Sequence, residues 1–274
     1  MQNADVSVII RNAGERTSDL CLGLVSEQVP PENIVVISEF PFREAARRSY
    51  EIGIELARPW TMCLDADILL RRNAVQMLRK WALEAGDCAL YVQGSILDKI
   101  FGRPRRAGPY FHKTSLLSLM LEHMPAEGVS LRPDTDAAMQ LATHGYSRPQ
   151  YDVVIAVHDF EQYYRDIYRK AFVHSHKHLE YMPSLELMWQ RLAGQDPDYE
   201  VCLWGLHDGR DFKGIVSHDV RCFPRDISDR LGTNEWKEKD PLKPTKDRSW
   251  DVDNLIAQFY RTSVLADYKF RNQN

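Results

Sequence analysis

The sequence predicts an α/β fold, a mostly parallel sheet flanked by helices and followed by a mainly helical C-terminal extension. Three observations carry this prediction. β-Branched runs alternate with helix-periodic segments over residues 5–70, and that alternation implies right-handed crossovers onto a parallel sheet. The third run, Trp60-Thr-Met-Cys-Leu-Asp65-Ala-Asp67-Ile-Leu-Leu70, is apolar until it meets two acids at i, i+2. A buried parallel strand has this appearance, and ligand sites in open α/β sheets lie beyond the carboxyl ends of such strands. Past residue 160, aromatic residues recur at helical spacing.

In chain order, Asp5-Val-Ser-Val-Ile-Ile10 reads as the first strand, followed by the polar stretch Arg11-Asn-Ala-Gly-Glu-Arg16 and a helix over 20–29 that Pro30-Pro31 closes. Asn33-Ile-Val-Val-Ile-Ser38 is the second strand and ends in Glu39-Phe-Pro41; a second helix covers 43–56 and leads into the acid-bearing strand. A helix over 73–85 places Val75, Leu78 and Ala82 on one stripe, and Ala89-Leu-Tyr-Val92 is a short strand. Arg103-Pro-Arg-Arg-Ala-Gly-Pro109 reads as a loop, either a solvated basic turn or a loop beside a diphosphate.

The chain divides near residue 160, into a domain over 1–160 and a helical extension over 161–274. Residues 160–192 read as helical, with Phe160, Tyr163, Tyr164, Ile167, Tyr168 and Phe172 on a core stripe. Arg165, Arg169 and Lys170 interleave with the tyrosines, a pattern compatible with weak peripheral membrane contact, although docking onto the first domain is commoner. Residues 234–249, charged and carrying Pro241 and Pro244, read as a loop or lid, and a last helix is expected over 252–268.

Composition narrows the function classes. With 274 residues, 44% hydrophobic, the chain can bury a core without staples. A net charge of −4 lacks the basic footprint of a nucleic-acid binder, so a nucleotide would have to be met locally. No apolar stretch approaches the ~18–20 residues of a membrane span. A strand beginning near Val6 leaves no room for a secretory signal, so a cytoplasmic protein is expected. Cys21, Cys63, Cys88, Cys202 and Cys222 show no C-x-x-C spacing and read as reduced thiols packed as small hydrophobes.

Asp65 and Asp67 carry the chemistry. Both side chains can turn toward one Mn²⁺ or Mg²⁺, hard cations that prefer carboxylate oxygen and keep positions open for a diphosphate. The ordinary alternative is a solvated Asp-x-Asp turn capping the helix that starts near Asn73.

Val6-Ser-Val-Ile-Ile10, Gly53-Ile-Glu-Leu-Ala57 and Leu64-Asp-Ala-Asp67 together resemble the nucleotide-binding half of a GT-A-fold (Rossmann-like) glycosyltransferase, most closely inverting glycosyltransferase family 2. Two downstream stretches match the same pattern in order. Arg132-Pro-Asp134-Thr-Asp136 runs into a helix ending at Gly145-Tyr146, and Tyr151-Asp-Val-Val-Ile-Ala-Val-His158 is a strand closing on a histidine. Gly108-Pro-Tyr-Phe-His-Lys-Thr-Ser115 stands where the family carries a Gly-rich, aromatic acceptor-side segment. The resemblance covers roughly residues 5–160. It departs from the family at three places: Arg11-Asn12 replaces Pro-Thr-aromatic-Asn, Glu39 replaces paired Asp, and Pro133 precedes Asp134 in place of Glu. The processive Gln-x-x-Arg-Trp signature is absent, which with the lack of membrane segments implies transfer of a single sugar.

The resemblance implies roles by residue. A divalent ion on Asp65 and Asp67, with His158 as third ligand, would bridge the phosphates of a nucleotide-sugar donor. Arg11, Asn12, Glu15 and Glu39 stand at the ends of the first two strands where the nucleoside belongs, with Ala66 between the acids. Arg43 and Arg47, one turn apart on a helix, are candidates for the phosphates. Asp134 would act as general base on a carbohydrate or other hydroxyl acceptor, giving inversion, and Asp136 would orient the acceptor or cap the helix.

His207 and His218 compete with His158 for the metal. His174-Ser-His176-Lys-His178 would set three imidazoles on one side of a strand, a zinc-like pattern that lacks a nearby cysteine pair. Other classes fit less well. A haloacid-dehalogenase-type phosphatase carries Asp-x-Asp on its first strand, and a nucleotidyltransferase needs a Gly-rich loop that Arg11-Asn-Ala-Gly14 does not supply. A non-catalytic nucleotide-sugar-binding module of the same fold is the alternative.

Overall fold

The structure, a computed structural model, describes residues 3–217, 219–223, 226–242 and 251–262. The first half is strand and helix in alternation: β1 (Val6–Arg11), α1 (Ser18–Ser26), β2 (Ile34–Ile37), α2 (Phe42–Leu56), β3 (Trp60–Asp65), β4 (Ile68–Leu70) and α3 (Ala74–Glu84). It continues with β5 (Tyr91–Asp98), β6 (Arg103–Arg106), β7 (Tyr110–Lys113), α4 (Leu117–Glu122), α5 (Pro133–Ala142) and β8 (Gln150–His158). Helices come next: α6 (Tyr164–Lys177), α7 (Met182–Leu192), α8 (Pro197–Asp211), α9 (Ser228–Thr233) and α10 (Val252–Thr262).

The fold is α/β, as the alternation predicts, and the parallel block over residues 5–65 is present. β1 pairs in parallel with β2 and with β3, each by the β-branched and apolar runs that define them. Beyond β3 the sheet is mixed, in the order β2-β1-β3-β7-β5-β8-β4. β7 enters antiparallel between β3 and β5, β8 returns parallel to β5, and β4 pairs antiparallel with β8. Two registers set charged residues side by side. Arg11 is the partner of Asp65 across β1 and β3, and Asp98 is the partner of His158 across β5 and β8. Parallel strands end together, so β1, β2, β3, β5 and β8 bring their last residues to one edge.

The structure corrects several sequence expectations. Arg103–Arg106 is not a loop but an antiparallel strand on β5. The fifth strand runs to Asp98, well past Val92. The helical stretch over 160–192 is two helices with a break at 178–181. His174 and His176 lie on α6 and His178 caps it, so the alternation does not align three rings: His174 is buried against Phe101, and His176 Nε2 lies 2.7 Å from the Gly209 carbonyl. The aromatic stripe of α6 is core, with Ile167, Tyr168 and Phe172 no more than 2% exposed. Lys170 points inward as well, so of the three basic residues interleaved with the tyrosines it is paired inside the protein, while Arg165 is exposed. No helix among the described residues is long and apolar enough to cross a membrane.

Cys21, Cys63 and Cys202 are buried free thiols as expected, whereas Cys88 is exposed. The expected last helix is present to Thr262, and its remainder lies outside the described residues, as do 243–249 of the charged loop. The described part of that loop is tied down. Glu238 accepts from the Tyr164 and Arg165 amides, and Lys239 pairs with Asp198 at 2.5 Å.

α6 and α8 pack closely because α8 presents two glycines one turn apart. A Cβ on Gly205 would stand 2.3 Å from the Tyr168 carbonyl oxygen, and one on Gly209 2.3 Å from Ser175 Oγ. Gly205→Ala is therefore expected to lower the unfolding free energy by about 1–3 kcal/mol, an overpacking cost. Urea denaturation measures it, and an unchanged midpoint would show that the helices have room to part. Trp189 Nε1 donates to the Ile100 carbonyl at 2.8 Å inside this helical core, anchoring α7 to the loop after β5.

Candidate active site

A cavity of about 370 Å³ opens at the carboxyl ends of the strands, within the range of small-ligand sites. Arg11, Arg105, Arg106, Arg132, Arg148, Arg169, Lys170 and Lys177 line it, against Glu15, Glu39, Asp65, Asp67 and Asp134. A chain of net negative charge thus concentrates cations at one place. Arg132, Arg148 and Lys177 have no carboxylate salt-bridge partner among the described residues. Burial pushes the Lys177 ammonium down to about 8, although Asp134 favours its charge. A cavity so lined selects an anion.

The two acids of β3 and its turn meet different cations. Arg11 Nε donates to Asp65 Oδ1 at 2.7 Å, a contact that the β1–β3 register dictates. The same guanidinium lies over the Phe42 ring at 4.9 Å and places an Nη 4.0 Å from Asp134 Oδ2. Burial opposes the Arg11 charge, but Asp65 and Asp134 outweigh it and raise its pKa. Burial raises the Asp65 carboxyl despite Arg11. Ala66 is fully buried, and its backbone accepts from Thr17 Oγ1 and donates to the Arg11 carbonyl.

Asp67 sits in a second cluster. The Lys170 ammonium, from the middle of α6, donates to Asp67 Oδ2 and to Asp159 Oδ1. His158 Nδ1 lies 2.8 Å from Asp98 Oδ2 and 3.1 Å from Asp159 Oδ2, and its Nε2 lies 3.5 Å from Asp67 Oδ1. Asp98, fully buried, also accepts from Arg105 Nε at 2.6 Å and from the Phe101 amide at 3.0 Å. Asp159 adopts a left-handed φ of 63°, and its two carboxylate oxygens meet Lys170 and His158. Three buried carboxylates here face three cationic groups. Burial would discharge His158, but Asp159, Asp67 and Asp98 overcome it and push the imidazole up to about 10. Burial alone would raise Asp67, yet Lys170 and His158 hold it well below the ordinary carboxylate range.

The fit of a divalent ion depends on these contacts. Ligand atoms of Asp67, His158 and Asp159 lie within 4.8 Å of one another, so three donors are close at hand. Asp65 is not among them, because Arg11 holds it. Lys170 stands on two of the three, and the third is an imidazole with both nitrogens facing carboxylates. Such an ion needs a neutral imidazole and open oxygens. As they stand, these residues hold a cation of the chain instead.

The other expected residues divide. Asn12, Glu15 and Glu39 line the cavity. Asn12 Oδ1 is committed to the Gly14 amide and Ser18 hydroxyl, which shapes the loop after β1. Glu15 accepts from the Ala13 amide at 2.6 Å, while burial and the Asp67 charge push it up to about 7. Asp134 faces the cavity from the first turn of α5; it is 6% exposed and accepts from the Thr135 amide at 2.8 Å. Neither it nor Asp136 is the N-cap, a place taken by Arg132. Asp136 instead accepts from Ser130 Oγ, outside the cavity lining. Arg43 and Arg47 are not in the cavity. Arg43 donates to the Pro125 carbonyl, and Arg47 pairs with Glu44 and Glu51 along α2. His207 is an exposed residue of α8, 3.6 Å from Glu186, and His218 lies outside the described residues.

Sequence reasoning missed Asp98, Asp159 and Lys170 as site residues. Asp98 had the same signal as Asp65, an apolar run (Ile96-Leu97) ending in an acid, and Asp159 comes directly after His158. Lys170 had none, because it lies 103 residues from Asp67 on a helix rich in other charges.

No family model matches the sequence, and no curated protein does. Among solved structures, the chain is similar to a glycosyltransferase involved in the glycosylation of the major capsid of PBCV-1, at 12% identity and a TM-score of 0.39 over 56% of this chain and 92% of that one. It is also similar to A197 from STIV, at 14% identity and a TM-score of 0.41 over 59% of this chain and 87% of that one.

Proposed function

We propose that this chain is a glycosyltransferase that moves a single sugar from a nucleotide-diphosphate donor to an acceptor hydroxyl with inversion. The observation that carries the reading is the cavity itself: a cation-rich pocket at the ends of the parallel strands with a buried carboxylate, Asp134, on its wall. Asn12, Glu15 and Glu39 stand at the ends of β1 and β2 for the nucleoside. Arg132, Arg148, Arg169 and Lys177 supply charge for the diphosphate. In the transfer, the acceptor oxygen forms a bond to the anomeric carbon as the bond from that carbon to the phosphate oxygen breaks. The hydroxyl proton passes to Asp134, and the nucleoside diphosphate leaves against the cations. Tyr91 and Tyr110, packed edge to face at 4.8 Å, are aromatic residues of the wall that a sugar would meet.

A panel of nucleoside diphosphates and UDP-, GDP-, CMP- and dTDP-sugars, followed by thermal unfolding, tests this reading. A matching diphosphate at 100 times its Kd adds about 2.7 kcal/mol to the folded state. For a chain of this size that raises Tm by roughly 5–10 °C. The nucleoside alone is expected to raise it far less. No shift with any diphosphate would overturn the proposal.

A further inference from the structure

Resting on that reading, we infer that Lys170 is the resident cation of this site: its ammonium occupies the place between Asp67 and Asp159 where a divalent ion would stand, so that the diphosphate is bound without one. Asp67 and Asp159 each direct one oxygen at the ammonium, and His158 closes the third side. An ammonium has three N–H donors. Two are used on the carboxylates, and Lys170 lines the cavity with its remaining one available to a phosphate oxygen. Lys170 also neutralises Asp67, which would otherwise repel an incoming dianion across the same wall.

The helix that carries Lys170 is packed on α8 by the close approach of Gly205 to the Tyr168 carbonyl, with Ala171 and Phe172 buried beside that contact, so the backbone position from which the ammonium reaches Asp67 and Asp159 is fixed. A divalent ion seated on Asp67 and Asp159 would set two cations side by side, so it has to displace the ammonium from both carboxylates. Asp65 could not compensate, since Arg11 already holds it at 2.7 Å. The expected metal pair is thus divided between two side chains of the protein, one for each acid.

Mn²⁺ binding, followed by loss of the free-ion EPR signal on titration with the full chain, tests the inference without nucleotide. The wild-type chain is expected to leave the signal unchanged at micromolar ion. Lys170→Ala opens the Asp67, Asp159 and His158 donors and is expected to take up one ion, a gain abolished by adding Asp67→Asn. Wild-type uptake of one Mn²⁺ that Asp67→Asn removes would overturn the inference. A second measurement uses wild-type protein alone: a nucleoside diphosphate should raise Tm equally in EDTA and in Mn²⁺, and a larger rise in Mn²⁺ would also overturn it. If no diphosphate shifts Tm under either condition, the transferase reading fails, while the EPR result on the resident cation stands separately.

Discussion

Asp134→Asn is expected to slow sugar transfer by about 10²–10⁴-fold while leaving donor affinity nearly unchanged, because a general base acts on the acceptor proton and not on the diphosphate. The substitution keeps the shape of the side chain, and its amide oxygen still accepts from the Thr135 amide, so the first turn of α5 is preserved. What is lost is a carboxylate that faces the cavity near Arg11. Asp136→Asn should cost much less, since Asp136 is spent on Ser130 Oγ outside the cavity. Steady-state transfer rates, paired with donor binding by calorimetry, separate the two variants. Full activity in Asp134→Asn would place the base elsewhere, whereas donor binding without transfer in the wild-type chain would favour a non-catalytic nucleotide-sugar-binding module.

Asp98→Ala should produce the largest loss of stability, about 3–5 kcal/mol, the usual cost of removing one partner from a buried charge network. Asp98 has no exposed surface and neutralises both Arg105 and His158. Burial alone would raise its carboxyl, but Arg105, His158 and the Phe101 amide hold it well below the ordinary carboxylate range. A depressed acid stabilises the fold above its unfolded pKa of about 3.9 and loses that contribution as pH falls through its folded value. The difference between wild type and Asp98→Ala should therefore be full at neutral pH and narrow below about pH 4. Equilibrium urea unfolding across that range measures it. A difference below about 1 kcal/mol at pH 7 would mean that Arg105 and His158 find solvent when Asp98 is gone.

Much of the frame is legible in residue order because its signals are local. The β-branched runs of β1 and β2, the apolar run of β3 and the 3.6-residue stripes of α2 and α3 each declare themselves within one element. Parallel strands then carry their last residues to a common edge, which sets Arg11, Asp65 and His158 in the lining of one cavity, with Asp134 added from the first turn of α5. The same local reasoning fails where pairing is remote. Arg103–Arg106 reads as a basic loop, and only the β5 edge beside it makes it a strand. The His174, His176 and His178 alternation mimics a strand, but on a helix it keeps His174 beside His178, with ring centroids 5.1 Å apart, and turns His176 away to the Gly209 carbonyl.

Residue order alone is enough for the α/β alternation, the acids at strand ends and the cavity edge they share, since these depend on period and side-chain type along short segments. Which cation each acid meets is settled by long-range packing. Sheet register sets Arg11 on Asp65, the packing of α6 against α8 delivers Lys170 to Asp67 and Asp159, and β5 beside β8 delivers Asp98 to His158. A charge on a helix reads the same in sequence whether it is solvated or buried. Its energy depends on distance and desolvation, and both are set by chain segments far away in sequence.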